Sequence, residues 1–165
     1  MAEIVTLNPL AAVPALNVKS DTLLGSMCSK KLEKWKPWDD EPLPTEVTRA
    51  ALDALERDLA VMLAPIKPTD LAAHIESLRA HYGEWGDLEI NLAKRVNADW
   101  LVDFEGYPAG LFVEACRRWR NSAAKNPPTA GQLKAIVEGD LKRLKHVGWQ
   151  TEKARRALAR KPGVA

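Results

Sequence analysis

The chain has 165 residues, 46% hydrophobic and 28% charged, with two cysteines, six tryptophans and a formal net charge of +2. These are ordinary values for one globular domain, long enough to bury a core without disulfide or metal staples. The small net charge conceals a polarity: residues 1–116 hold 11 basic and 19 acidic side chains (net −8), and residues 117–165 hold 13 and 3 (net +10).

Residues 1–44 have no sustained apolar period. Pro9, Pro14, Gly25, Pro37, Pro42 and Pro44 interrupt any long helix, so this stretch is expected to be an extended or flexible arm. It carries Trp35 and Trp38, which are expected to dock, either on the chain's own body or on a partner.

From Thr45 the helical pattern begins, with Thr45 as a candidate N-cap and Val47, Ala51, Leu55, Leu59 and Met62 on one stripe. Pro65 and Pro68 end it. Thr69 is expected to cap a second helix, whose face is Leu71, Ile75, Leu78 and Tyr82 and whose stop is Gly83. The short connection predicts that these two helices form an antiparallel hairpin. A third helix is predicted from about 87 to 105 on Leu88, Leu92, Val96, Trp100 and Phe104, with Gly106 at C′.

Pro108 suits the first turn of a fourth helix. Leu111, Phe112, Ala115, Cys116 and Trp119 make its inner stripe, which places Trp119 in or at the edge of the core with Arg117, Arg118 and Arg120 around it. After the linker NSAAKNPP, Thr129 and Gln132 match the T-x-x-Q capping box of a fifth helix, with Leu133, Ile136, Val137, Leu141 and Leu144 inward. Gly148 is expected to break or kink it, leaving 147–165 as a basic C-terminal segment. The expectation is therefore an all-α bundle of about five helices: an arm over 1–44, a helical domain over 45–146 and the basic segment.

Little in the sequence points to catalysis. Cys28 and Cys116 lie far from each other and from any His cluster, as two free thiols in a reducing compartment would. His74 and His81 are seven apart, too far for an i, i+4 metal pair, and the glycines do not form a phosphate loop. No metal, cofactor or enzymatic activity is expected. The N-terminus lacks the pattern of a secretory signal, and no stretch approaches the roughly 20 apolar residues of a membrane span. The expected location is cytoplasmic.

Binding has better support. Lys142, Arg143, Lys145, Arg155, Arg156 and Arg160 form a basic end suited to phosphates, and the tryptophans, Trp149 among them, are available to stack on unpaired bases. No sequence-reading DNA motif is present.

From Tyr107 to Leu133, Tyr107-Pro108 opens a helix, Ala115 and Arg117-Arg118-Trp119 close it, and Pro128-Thr129 with Leu133 opens the next. This arrangement resembles the phage replicative-helicase loader/inhibitor family and related prophage proteins. The resemblance implies a non-enzymatic adaptor in DNA replication, whose helical domain and flexible tail bind a hexameric helicase. That family carries its tail at the C-terminus, whereas here the least structured segment is expected at the N-terminus. On this reading Arg117, Arg118 and Arg120 meet acidic groups of the helicase or another host protein, beside Trp119, and Trp35 and Trp38 anchor the arm. Two alternatives stand beside it: a direct binder of nucleic acid, single-stranded DNA included, through the basic end, and a phage-encoded inhibitor of a host or defence protein.

Overall fold

The computed structural model describes residues 19–38, 41–82 and 98–160. All regular elements among them are helical: α1 (Ser20–Gly25), α2 (Met27–Lys34), α3 (Arg49–Leu63), α4 (Pro68–Tyr82), α5 (98–103), α6 (Ala109–Arg120) and α7 (Ala130–Arg160). The all-α expectation holds. None of these helices is long and apolar enough to cross a membrane.

Helix α7 is the centre of the molecule. At 1.5 Å per residue its 31 residues span about 46 Å. It packs against α6 most extensively, and against α3, α2 and α1. Its start is the predicted capping box: the Thr129 backbone N–H donates to Gln132 Oε1 (2.8 Å), and the Gln132 N–H donates to Thr129 Oγ1 (3.3 Å). Leu133, Val137, Leu144, Val147, Thr151 and Ala154 are all buried. Their steps of four and three, with Asp140 filling the gap, keep one seam facing inward over most of the helix.

The seam runs straight through Gly148, so there is no separate basic segment at 147: the helix continues to Arg160. A glycine inside a helix costs about 1 kcal/mol relative to alanine. Burial of a single Leu or Val on the seam contributes about 1.5–3 kcal/mol, so tertiary packing outweighs the local preference.

The arm is likewise corrected from Lys19 onward. Ser26 caps α2, its Oγ accepting from the Ser29 N–H at 3.2 Å. Leu23, Leu24, Leu32 and Trp35 join the same core as the seam of α7. These two helices are six and eight residues long, too short to be stable alone or to show a clear period, and only their partners make them visible. Residues 1–18, 39–40 and 161–165 of the expected segments lie outside the described residues.

Helix α3 starts later than expected. Thr48, not Thr45, is its N-cap, accepting from the Ala51 N–H at 3.2 Å. Val47 before it and Leu52 four residues into the helix are both buried, at the positions of a hydrophobic staple. The α4 helix opens on Pro68 rather than after Thr69, because the first turn needs no N–H from proline. It packs on α6 instead of folding back along α3, so the expected α3–α4 hairpin is not formed. The short connection is held differently: the Ile66 N–H donates to Tyr107 O and the Ala109 N–H to Ala64 O, both at 2.8 Å. That bridge ties the ends of α3 and α5 to the start of α6. Gly106 takes the left-handed conformation expected of C′, with φ 66°. Of the predicted third helix, Trp100 and Phe104 are buried as expected, while Leu88, Leu92, Val96 and the stop at Gly83 lie outside the described residues.

Two glycines with opposite surroundings test this packing. A Cβ on Gly148 would find only Leu59 Cδ1, at 4.0 Å, whereas one on Gly110 would meet Met62 Sδ at 2.7 Å and its Cα at 3.0 Å. Gly148→Ala is expected to raise stability by about 0.5–1 kcal/mol. Gly110→Ala is expected to lower it by about 1–3 kcal/mol through overpacking. Urea denaturation followed by circular dichroism checks both, and a destabilised Gly148→Ala variant would contradict the open site described here.

Candidate functional site

The structure divides the basic residues into two groups with different surroundings. The first lies at the end of α6. Glu114 faces inward and is 4% exposed. It accepts from Arg117 Nε (2.8 Å) and Nη2 (2.5 Å) and from Arg118 Nε (2.8 Å). Arg118 then reaches α7, where Nη2 donates to Asp140 Oδ2 at 2.6 Å and Nη1 to the Ile136 carbonyl at 3.4 Å. The same Nη2 lies 3.3 Å from both Ser20 Oγ and Asp21 Oδ1 on α1. One guanidinium therefore joins α1, α6 and α7. Asp140 occupies a seam position of α7 where an apolar residue would otherwise sit, and Arg118 is the reason an acid is tolerated there.

Arg117 and Arg118 thus face internal acids. Arg120 differs: it is partly exposed and has no acidic partner among the described residues. Trp119 is partly buried, as the helical stripe predicts, and its indole N–H donates to the Asn126 carbonyl at 3.1 Å, fastening the loop after α6.

The hydrogen bond from Arg117 holds the Glu114 carboxyl below the usual carboxylate range, helped by Arg118 and opposed by burial. A carboxylate whose pKa is lower in the fold than in the open chain stabilises the fold fully above its ordinary range. That contribution is lost as pH falls through the lowered value.

The second group surrounds two exposed tryptophans. Trp35 is buried, and its indole N–H donates to the Glu41 carbonyl at 3.0 Å. The Lys36 N–H donates to Glu41 Oε2 at 3.0 Å, and Gln150 Nε2 of α7 donates to the Trp35 carbonyl at 2.8 Å. These bonds join Trp35 and Lys36 to Glu41 and pin Trp35 to α7. Trp35 therefore docks on the chain's own body. Trp38, three residues on, is left 63% exposed.

Trp38 faces Trp149, which is 40% exposed, with ring centroids 5.8 Å apart and planes tilted by 36°. His146 stacks on Trp149 at 6.0 Å, and Lys153 Nζ lies 5.5 Å from its ring centroid. The two indoles wall a cleft of about 430 Å³ whose other cationic walls are Lys153, Arg156 and Arg160. Trp149, Lys153, Arg156 and Arg160 are spaced by four, three and four, one face of a continuous helix.

Of the basic residues expected to bind nucleic acid, Arg156 and Arg160 are brought to this cleft together with Trp38. Among the described residues Arg156 pairs with Glu152 of its own helix, and both partners are exposed. The others lie elsewhere. Arg155 turns to α3, donating to Asp53 (2.5 Å) and to both oxygens of Glu56 (2.8 and 2.7 Å). Arg143 makes a two-pronged pair with Glu33 of α2, and Lys142 pairs with Glu138. Lys145 is exposed with no acidic partner among the described residues. Lys153, another basic residue of the C-terminal end, also lines the cleft, and the 149–153–156–160 spacing puts it on the same helix face.

Buried Cys116 has its thiol pushed up to about 12 by desolvation, and His74, packed edge-on to Phe112, is held toward its neutral form by burial. Among the described residues no three His, Cys, Asp or Glu side chains are grouped to hold a metal.

The Arg118 tie yields an expected outcome. Glu114→Gln leaves two arginines facing a neutral amide and is expected to cost about 2–4 kcal/mol at neutral pH. The variant should also lose less stability than the parent chain on acidification. Urea midpoints at about pH 7 and about pH 4 test this, and parallel losses in both chains would count against it.

No family model, curated protein or solved structure matches this chain, so the resemblance to helicase loaders rests mainly on residues 107–133.

Proposed function

We propose that this protein is a non-enzymatic nucleic-acid-binding protein that works through the C-terminal third of α7. The observation that carries this reading is the cleft where Lys153, Arg156 and Arg160 converge beside exposed aromatic rings. Cations held in place next to an open surface attract phosphates and release their counterions, which gives affinity without sequence preference. The pair between Arg156 and Glu152 is exposed, and such pairs are worth about 0–1 kcal/mol, so a phosphate displaces Glu152 at little cost.

A second reading keeps the helicase adaptor of phage type. What supports it is the α6–α7 hairpin itself, with Arg120 and Lys125 at its partly exposed end. Arg117 is a poor probe of that surface. Its replacement by Glu would set a second carboxylate against buried Glu114 and damage the fold before any partner is tested. Arg120→Glu alone is the clean variant.

The leading reading predicts salt-sensitive binding of DNA. Lys153→Glu with Arg160→Glu should weaken it at least about 10-fold and flatten the slope of log affinity against log salt by about 1.4–1.8. Fluorescence anisotropy across a salt series measures both quantities. Affinity and slope equal to those of the parent chain would remove the α7 end from consideration.

A further inference from the structure

We infer that the Trp38–Trp149 cleft takes an unpaired nucleotide, so that the ligand of the α7 end is single-stranded nucleic acid, bound without regard to base sequence. The inference rests on the nucleic-acid reading above and adds the class of ligand.

The aromatic faces carry the argument. Trp35 and Trp100 are buried in the core, but Trp38 and Trp149 present ring surface to solvent although both are large and apolar. In a duplex every base face is covered by its neighbours, and an exposed indole has nothing to stack on. An unpaired base offers that face, and every base has one. The two walls are also fixed in advance. Trp149 rides on a long helix, and Trp38 stands three residues after Trp35, whose carbonyl is held by Gln150 of that helix. Little conformational freedom is lost when such rings are covered.

The geometry further limits how a base enters. Rings flanking a base on both sides must stand about 6.8 Å apart, twice the 3.4 Å step of stacked bases. The indoles are 5.8 Å apart and tilted by 36°, so the base lies across the pair and not between them. The cations are then in place for its phosphates: Lys153, Arg156 and Arg160 are separated along the helix by rises of about 4.5 and 6 Å. Lys153 Nζ also lies over the Trp149 ring, 5.5 Å from its centroid, so positive charge sits beside the aromatic pair.

Among the described residues Glu41 is the one acceptor-bearing side chain of the cleft walls, and its Oε2 accepts from the Lys36 N–H. Stacking on ring faces does not distinguish bases, because every base has a π-face. An acidic peptide would satisfy the cations and leave both indole faces uncovered, so it is the poorer match.

The test uses the full-length protein with fluorescein-labelled oligothymidine of about 12 nucleotides and a duplex of equal length, at low salt. The variants are Trp38→Ala, Trp149→Ala and Trp38→Tyr, each checked for helicity by circular dichroism. The parent chain is expected to prefer the single strand. Each alanine variant should lose about 10-fold or more of that affinity with duplex binding unchanged, and Trp38→Tyr should recover most of it. Quenching of tryptophan fluorescence by the oligonucleotide should disappear with the alanine variants. Full single-strand affinity in both alanine variants, with the Lys153→Glu, Arg160→Glu loss intact, would overturn the stacking inference and leave the nucleic-acid reading standing. A glutamate-rich peptide that displaces the oligonucleotide and depends on both tryptophans would overturn it in favour of a protein ligand. Failure of the parent chain to bind either nucleic acid would remove both.

Discussion

Helix α7 keeps one seam buried from Leu133 to Ala154, and α1, α2, α3 and α6 all pack against that helix. Steps of four and three residues sustain such a seam for as long as the helix stays unbroken. The rest of the molecule inherits its geometry from that continuity. The short helices α1 and α2 exist because the seam gives Leu24, Leu32 and Trp35 a surface to cover. Trp35 is held through its carbonyl by Gln150, one position beside the seam. Trp149 stands next to it, directed outward at 40% exposure.

The two basic clusters show how burial changes what an arginine does. At the end of α6 the acids are inside, and Arg117 and Arg118 follow them. Glu114 without its arginines would be an unpaired buried charge, so this cluster is held by the fold. At the end of α7 Arg156 pairs with an acid on its own exposed face, and Lys153 lies over an aromatic ring. Solvent screens these interactions, and the cations keep most of their capacity for an external anion. The difference between an arginine held by the fold and one left open to solvent lies in what surrounds the acid, not in the arginine.

Arg118 also couples the two ends of this arrangement. Its bonds to Glu114, Asp140, Ser20 and Asp21 set the position of α1 relative to the α6–α7 hairpin. Helix α2 follows α1 directly and leads into the segment that carries Trp38. Arg143 and Gln150 hold α2 and Trp35 to α7 directly, and Arg118 lines no wall of the cleft.

Much of this was legible in the sequence. The capping box at Thr129, the left-handed Gly106, the stripes of α3, α4 and α6 and the half-buried Trp119 all follow from local rules: backbone conformation, cap chemistry and the 3.6-residue period act over a turn or two. So does the concentration of positive charge after residue 116. Three features were beyond those rules. Gly148 has the local character of a break, and only the seam on either side keeps it helical. The helices α1 and α2 are too short for their own period to declare them. The pairing of Arg118 with Asp140, and the meeting of Trp38 with Trp149, join residues 22 and 111 positions apart. Sequence alone determined the helical class, most of the caps and which end is basic. Tertiary packing decided which arginines are buried against acids and which stand open beside two tryptophans, because that depends on which helices α7 holds together.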